Sequence, residues 1–115
     1  MAIRIKTSRP LWVINQIKAR IDNGVIDTWS YDDEGDFTHV GQWANRAWIR
    51  PRITSDGICF NILGHRSMQM PLMDYAVFHG RFLELLINQF PEESSSLVVS
   101  APLVDGGDFN NVNLD

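Results

Sequence analysis

The stretch between Pro71 and Pro91 constrains the fold most, because its pattern is that of one long helix with a single apolar side. Apolar side chains recur along it at helical spacing: Leu72, Ala76, Leu83, Leu86 and Phe90, with Tyr75 and Phe82 beside them. Polar side chains fall on the opposite side: Asp74, Arg81, Glu84 and Asn88. A proline suits the first turn of a helix, and a proline past its last turn ends it. The pattern predicts an amphipathic helix over about 71–90, which must bury its apolar side against a second layer.

A second helix is predicted from about residues 9–10 to 23. Ile14, Ile17 and Ile21 fall within one narrow arc of the helical wheel, which gives this helix a single buried face. Gly24 follows it and supplies the left-handed conformation with which many helices end.

Strand-forming residues occupy much of the remaining chain. The clearest strands form a hairpin, with arms at 46–54 and 58–63 around an Asp-Gly turn at 56–57. Pro51 lies inside the first arm, which favours an edge or a bulge there. Further strands are predicted at 2–7, 25–31 and 97–101, with a short helical turn at 38–46.

The elements follow one another in the order β-α-β-β-β-α-β. The simplest arrangement is an α+β fold, in which an antiparallel sheet of four to five strands carries two helices packed on one face. A ferredoxin-like arrangement with one extra strand fits this order. We expect residues 1–104 to form a single α+β domain and residues 105–115 to form a polar, mobile C-terminal tail.

The composition is that of an ordinary globular domain, with 115 residues, 44% of them hydrophobic and 21% charged. Cys59 is the only cysteine, so no intramolecular disulfide can form, which fits a reducing compartment. The chain has no signal-peptide pattern and no run of about 18 apolar residues, so we expect a cytoplasmic protein without membrane contact. The net charge of −4 argues against nucleic acid as a partner.

An acidic loop lies in the middle of the chain. Five carboxylates fall within ten residues, with His39 shortly after: Asp27, Asp32, Asp33, Glu34 and Asp36. Converging carboxylates bind hard cations, and a neighbouring imidazole can act as a general base. The spacing differs from that of an EF-hand loop, and Asp and Gly are also favoured in solvated turns. We therefore predict a turn without a metal or a cofactor.

His79 lies near the centre of the apolar arc of the second helix. A histidine facing the core is either a neutral, hydrogen-bonded core residue or an acid/base whose pKa is tuned by burial, and the first is commoner. Gly80 follows it, although glycine in mid-helix costs about 1 kcal/mol relative to alanine. The close approach of another backbone, from a second helix or a second subunit, would justify that cost.

Tryptophan and arginine are concentrated on one predicted strand. The chain has four tryptophans: Trp12, Trp29, Trp43 and Trp48. Arg46, Arg50 and Arg52 alternate with Trp48 along one side of that strand. Interleaved aromatic and basic side chains can stack on bases and contact phosphates, and Trp and Arg are also enriched in protein-protein hot spots. The plainest explanation is that arginine stems cover a tryptophan on an open sheet face, which we rank level with a protein interface.

Known catalytic sequence patterns are absent. The chain has no glycine-rich phosphate loop, no Cys-x-x-Cys, no His-Glu-x-x-His and no Gly-x-Ser-x-Gly. Cys59 has no basic neighbour in sequence that would lower its pKa, which argues against a nucleophilic role.

Several segments resemble a family of small bacterial proteins that has no assigned activity. The resemblance spans roughly residues 10–90 and rests on these segments: 26–32, 35–38, Gln42-Trp43 with Ala47-Trp48, and 75–82. It implies a bacterial, cytosolic origin and assigns no catalytic or binding residue.

The leading hypothesis is a non-enzymatic protein-interaction module that forms a homodimer or binds another protein. Its binding candidates are Trp29, Trp43, Trp48, Arg50 and Arg52. The alternative is a small hydrolase or nuclease that uses the acidic loop and a histidine. Its catalytic candidates are Asp27, Asp32, Asp36, His39 and His79. A weaker alternative is single-stranded nucleic-acid binding through Trp48, Arg50 and Arg52.

Overall fold

The computed structural model describes residues 3–65 and 70–99 and the backbone of residues 110–112. Both predicted helices are present, as α1 (Pro10–Asp22) and α2 (Leu72–Gln89). The strands are β1 (Ile3–Lys6), β2 (Trp29–Tyr31), β3 (Phe37–His39), β4 (Trp48–Ile53), β5 (Gly57–His65), β6 (Val98–Val99) and β7 (Asn110–Val112). Two short 3-10 turns lie at Gly41–Trp43 and Glu93–Ser96.

The described strands form one sheet in the order β2-β3-β4-β5-β1-β6, and every neighbouring pair along this path is antiparallel. The short β7 pairs in parallel with the end of β5. The α+β class with an antiparallel sheet and two helices is therefore confirmed. The predicted four to five strands are too few, because six strands lie along the path, and the ferredoxin-like order is not confirmed.

The additional strand comes from the segment around the acidic loop. The predicted strand at 25–31 contains only β2. Residues 37–39 form β3, so the predicted helical turn at 38–46 is present only as the 3-10 turn at Gly41–Trp43. The hydroxyl of Thr38 donates to the carbonyl oxygen of Ala47 at 2.8 Å. The backbone N–H of Val40 donates to the carbonyl of Thr28 at 3.0 Å, which extends the pairing of β2 with β3. The acidic loop therefore joins two short paired strands.

The predicted hairpin is present as β4 and β5, paired from Trp48–Leu63 to Ile53–Ile58. Strand β3 pairs with β4 at Phe37–Ile49, and Pro51 lies beyond that pair, where β5 is the one described neighbour of β4. This local edge tolerates the missing N–H of proline. Gly57 begins β5 in close contact with β1, and a Cβ there would overlap the carbonyl oxygen of Ile5.

One face of the sheet carries the core. Its buried side chains alternate along the strands: Ile3, Ile5, Phe37, Ile49, Ile58, Phe60 and Ile62. Both helices add their buried side chains to the same cluster: Val13, Ile14 and Ile17 from α1, and Tyr75, Phe78, Phe82, Leu85 and Leu86 from α2. Both helices therefore pack on this face. Phe82 lies at its centre, with its ring centroid 5.2 Å from that of Trp29 and 4.9 Å from that of Phe60.

The buried face of α2 is rotated from the one that its sequence predicts. Asp74, predicted on the polar side, is only 4% exposed, whereas Leu72, predicted on the apolar side, is 73% exposed. The Nε of Arg46 donates to the Asp74 carboxylate at 2.9 Å, and this ion pair compensates the burial of Asp74. His79 is buried as predicted, and its ring lies 4.6 Å from the ring of Tyr75.

The predicted mobile tail, 105–115, lies outside the described residues except for 110–112, which form β7. The extent of the domain, 1–104, stays a prediction.

Candidate functional site

A groove of about 910 Å³ runs between α2 and the hairpin of β2 and β3, and we call it the α2–hairpin groove. Its hairpin side contains four of the residues singled out from the sequence: Asp27, Trp29, His39 and Trp43. Its other side is α2 and the residues next to it: Arg81, Glu84, Leu85, Ile87, Asn88, Gln89 and Pro91. The groove thus has aromatic and apolar side chains together with charges of both signs.

Trp29 is the buried aromatic residue of this groove. Its ring packs edge-on against Phe78 and Phe82 of α2, with centroids 5.9 and 5.2 Å apart, so core packing fixes its orientation. The imidazole of His39 stands edge-on to the same indole at 5.2 Å. The alternation of a strand places both residues on the helix side of the sheet.

The tautomer of His39 follows from its hydrogen bond. Its Nδ1 lies 2.8 Å from the carbonyl oxygen of Val40, and because a carbonyl only accepts, Nδ1 carries the proton. In the neutral ring the lone pair then resides on Nε2. This is the arrangement that prepares a histidine to accept a proton or to bind a metal ion.

Trp43 is half-buried and belongs to a loop that hydrogen bonds and an ion pair hold in place. Asn45 adopts a left-handed φ of 60°, and its N–H donates to the hydroxyl of Thr38 at 3.3 Å. The guanidinium of Arg46 lies 5.2 Å from the ring centroid of Trp43 while its Nε bonds Asp74. The buried carboxylate of α2 therefore positions the arginine that covers this indole.

The acidic loop uses its carboxylates internally. Asp32 accepts the backbone N–H groups of Glu34 and Asp36, both at 3.0 Å, which is the hydrogen bonding of an Asx turn. Asp36 accepts from Nε and Nη2 of Arg50 at 2.8 and 2.7 Å, and Glu34 accepts from the same Nη2 at 3.0 Å. The hydrogen bonds to Asp36 raise the pKa of Arg50 above its ordinary value. Within residues 3–65 and 70–99, no three His, Cys, Asp or Glu side chains are grouped so as to hold a metal ion.

The structure separates most of the catalytic candidates. Asp36, directly before β3, bonds Arg50 on the open face of the sheet, whereas His39 of β3 packs on Trp29 on the helix face. His79 is in the core. The groove thus brings Asp27 together with His39 and leaves Asp32, Asp36 and His79 elsewhere.

The binding candidates on β4 are also apart from the groove. Trp48 is 3% exposed, and it forms a small cluster with Leu63 on the open face and packs edge-on against His65 at 5.1 Å. A buried indole offers no free ring face for stacking on a base. Arg50 is engaged by the acidic loop, and Arg52 is exposed on the same side of β4.

Sequence reasoning missed the part that α2 contributes to the surface. Arg81, Glu84, Ile87 and Asn88 line the groove, although the sequence indicated only a polar helix side here. Met73 and Ile87 are 65% and 53% exposed, so α2 is apolar on its solvent side as well. Gly80 was the one feature of the sequence that indicated an unusual surface on α2, because a glycine in mid-helix has no packing role on a polar surface.

Comparison of the chain with protein-family models, curated proteins and solved structures finds no match in any of the three. The resemblance to a bacterial family therefore stays a prediction. None of the helices in the described part of the chain has the length and apolarity needed to cross a membrane.

Proposed function

We propose that this protein is a non-enzymatic interaction module that binds a segment of a partner protein in the α2–hairpin groove, in the bacterial cytoplasm. The observation that carries the proposal is the grouping of the half-buried Trp43 and His39 with the exposed Ile87 in one open groove, where the buried indole of Trp29 packs edge-on against His39. Sites with this composition supply most of the affinity in protein-protein interfaces, where Trp, Tyr and Arg dominate.

The size and rim of the groove favour a protein segment over a small molecule. Its volume of about 910 Å³ lies near the upper end of small-ligand pockets, which are commonly about 300–1,000 Å³. The exposed side chains of Val25 and Ile87 stand at its borders, where an apolar side chain of a partner can cover them. Asp27, Glu84 and Arg81 add charges of both signs, which suits a segment with polar flanks around an apolar anchor.

Photo-crosslinking in cells tests this proposal directly. A photoreactive amino acid replaces Val25 or Asn88 at the groove, and Asp33 or Ser55 at exposed control positions in two turns that do not line it. We expect the two groove positions to capture the same protein and the two control positions to capture none. The proposal fails if the groove positions capture nothing, or if all four positions capture the same mixture.

A substitution in the groove provides the quantitative arm. We expect Trp43→Ala to weaken binding of the captured partner at least tenfold, because it removes an aromatic contact from the interface. Trp12→Ala is the matched control, since Trp12 is a partly exposed indole on α1, outside the groove. An equal loss in both variants would contradict the assignment of the groove.

The second candidate function is hydrolysis at the same groove. The hydrogen bond from His39 Nδ1 to the Val40 carbonyl favours it, since Nε2 is then available as a general base and Asp27 lines the same groove. Assays with activated ester and phosphodiester substrates test it. We expect His39→Gln to lower any such rate by about 10²–10⁴-fold and Asp33→Asn, in the neighbouring turn, to leave it unchanged. The absence of turnover by the unmodified protein would exclude these reactions.

Nucleic-acid binding stays the weaker prediction, without support from the position of Trp48.

A further inference from the structure

The solvent side of α2 is a second apolar surface, which shares only Glu84 and Ile87 with the groove. At 100° per residue, Gly80 lies at the centre of the exposed arc, opposite the buried side chains. Within about 60° on either side, six of seven residues are non-polar, and we call this set the outer face of α2: Met73, Ala76, Val77, Gly80, Leu83, Glu84 and Ile87. An exposed apolar face on a helix commonly marks a surface that another molecule covers.

No contact within the described part of the chain explains why residue 80 is a glycine. A Cβ added there would meet nothing within 4 Å, so no described atom of the chain requires a glycine. Its backbone is an ordinary helix interior, where alanine is more favourable. A glycine at the centre of an exposed apolar face is explained when another backbone approaches it from outside the chain.

We propose that the outer face of α2 packs against the same face of a second copy of this chain. The two helices run antiparallel and cross at Gly80, with a two-fold axis through the crossing point. This is an isologous interface, the commonest arrangement in soluble homodimers. The close approach needed at the axis is available because Gly80 has no side chain.

The spacing of the side chains is what selects a second copy. In an antiparallel pair that crosses at residue 80, each residue faces the one at the same distance on the other side of 80. Met73 then faces Ile87 of the second copy, Val77 faces Leu83, Ala76 faces Glu84, and Gly80 faces Gly80. Large side chains thus meet large ones at both ends, and the smallest pair lies at the crossing.

Charge does not oppose this pairing. Glu84 is the only charged residue of the outer face, and Nη1 of Arg81 lies 3.4 Å from its carboxylate in the same chain. The face is therefore locally neutral in a chain whose net charge is −4. The 18 residues of α2 span about 27 Å, so a helix-helix contact alone buries less than the roughly 800 Å² per partner of a standard interface. We therefore expect a dissociation constant in the micromolar to millimolar range.

This proposal goes beyond the groove and can be tested separately from it, because Met73 and Gly80 do not line the groove. Sedimentation equilibrium of the full chain measures the monomer-dimer constant. We expect Met73→Glu to raise the dissociation constant at least tenfold, since it places a charge in an apolar contact. Leu11→Glu on α1 is the matched control, because Leu11 is 60% exposed, close to the 65% of Met73. We expect the dimer of this control to be unchanged.

Cross-linking tests the antiparallel register. Gly80→Cys should form an intermolecular disulfide under mild oxidation, because residues at the axis come within the Cα separation of about 4.4–6.8 Å that a disulfide needs. The native Cys59 is buried and does not compete. A short bismaleimide should join an equal mixture of Met73→Cys and Ile87→Cys chains but not Met73→Cys alone, whose two cysteines would lie about 21 Å apart along the helices.

Two results would overturn the proposal. One is that the protein remains a monomer up to millimolar concentration. If that monomer bound phosphatidylcholine vesicles through Met73, the outer face of α2 would be assigned to a lipid surface. The other is a dimer that Met73→Glu and Leu11→Glu weaken equally. Loss of groove cross-links in an intact dimer would refute the proposed function and leave this inference standing.

Discussion

The two helices share one face of the sheet but present opposite surfaces to solvent. On α1 the outward side chains are mainly polar and are used within the chain. Asp22 accepts the hydroxyl of Tyr31 on both carboxylate oxygens, at 2.8 and 2.9 Å, and this hydrogen bond raises the pKa of that phenol. The ammonium of Lys18 lies 5.6 Å from the centre of the Tyr31 ring. The exposed indole of Trp12 is covered by the guanidinium of Arg9 at 3.7 Å.

On α2 the outward side includes exposed apolar side chains beside the Arg81–Glu84 pair. Met73 and Ile87 are exposed, and the open surface at Gly80 lies between them. A fold with one sheet and one helix layer needs a single apolar face on each helix. Helix α1 supplies little more than this, whereas α2 supplies a second face. The packing of α2 on the sheet therefore does not require this second face.

The largest expected effect concerns the inner face of α2. We expect Phe82→Ala to lower the free energy of unfolding by about 3–5 kcal/mol, because Phe82 is fully buried and its ring packs on Trp29, Phe37 and Phe60. Urea unfolding of the monomer measures this change. Met73→Ala on the outer face is the control, with an expected loss below about 0.5 kcal/mol. A large loss from Met73→Ala would mean that the outer face takes part in folding.

The next effect distinguishes the starts of the two helices. The first turn of α2 carries the buried Asp74, whereas the first turn of α1 has no acidic residue. We expect Asp74→Asn to cost about 1.5–3 kcal/mol, because it removes a charge-assisted hydrogen bond from Arg46 and a negative charge from a helix N-terminus. Chemical unfolding measures the loss. Glu84→Gln, in the exposed pair with Arg81, should cost no more than about 0.5 kcal/mol, and an equal cost for both would contradict this account.

A smaller effect of opposite sign is expected at Gly80. We expect Gly80→Ala to raise the free energy of unfolding of the monomer by about 0.5–1 kcal/mol, because alanine favours the helix and its Cβ meets nothing within 4 Å. Unfolding at low protein concentration measures the monomer alone. Gly57→Ala is the contrasting variant, and it should be destabilising because its Cβ would overlap Ile5. Destabilisation by Gly80→Ala in the monomer would show that the chain itself needs this glycine.

Periodicity predicted both helices and the β4–β5 hairpin, because long patterns average over local exceptions. The pattern of α2 gave the wrong rotation because Asp74 counts as polar in any helical wheel. Its burial depends on Arg46, which lies 28 positions away and meets it only in the folded chain. Strands β2 and β3 are three residues long, too short for alternation to separate them from turns.

The sequence predicted individual residues of the candidate site, but not which of them lie together in the groove. Asp27, Trp29, His39 and Trp43 were all named from the sequence, yet so were residues that lie on the open face or in the core. The side of the sheet on which each residue falls depends on strand register. The face on which His39 lies can therefore be predicted only if residues 37–39 are known to form a strand. Arg81 and Ile87 complete the groove only through the packing of α2 against that hairpin.

The smallest expected effect lies where α1 begins. Arg9 Nη2 donates to the Glu93 carboxylate at 2.9 Å, which ties α1 to the 3-10 turn after α2 and lowers the pKa of Glu93 below its ordinary value of 4.5. A carboxyl with a lowered pKa in the folded state stabilises the fold above its unfolded pKa, and this contribution disappears as the pH falls through the folded pKa. Because Arg9 is half exposed, solvent screening limits this stabilisation to a few tenths of a kcal/mol.

We expect Glu93→Gln to lower the melting temperature by about 1–3 °C at pH 7 and to leave it unchanged near pH 2. An undiminished difference in acid would show that the carboxamide disturbs packing and that the ion pair is not the cause.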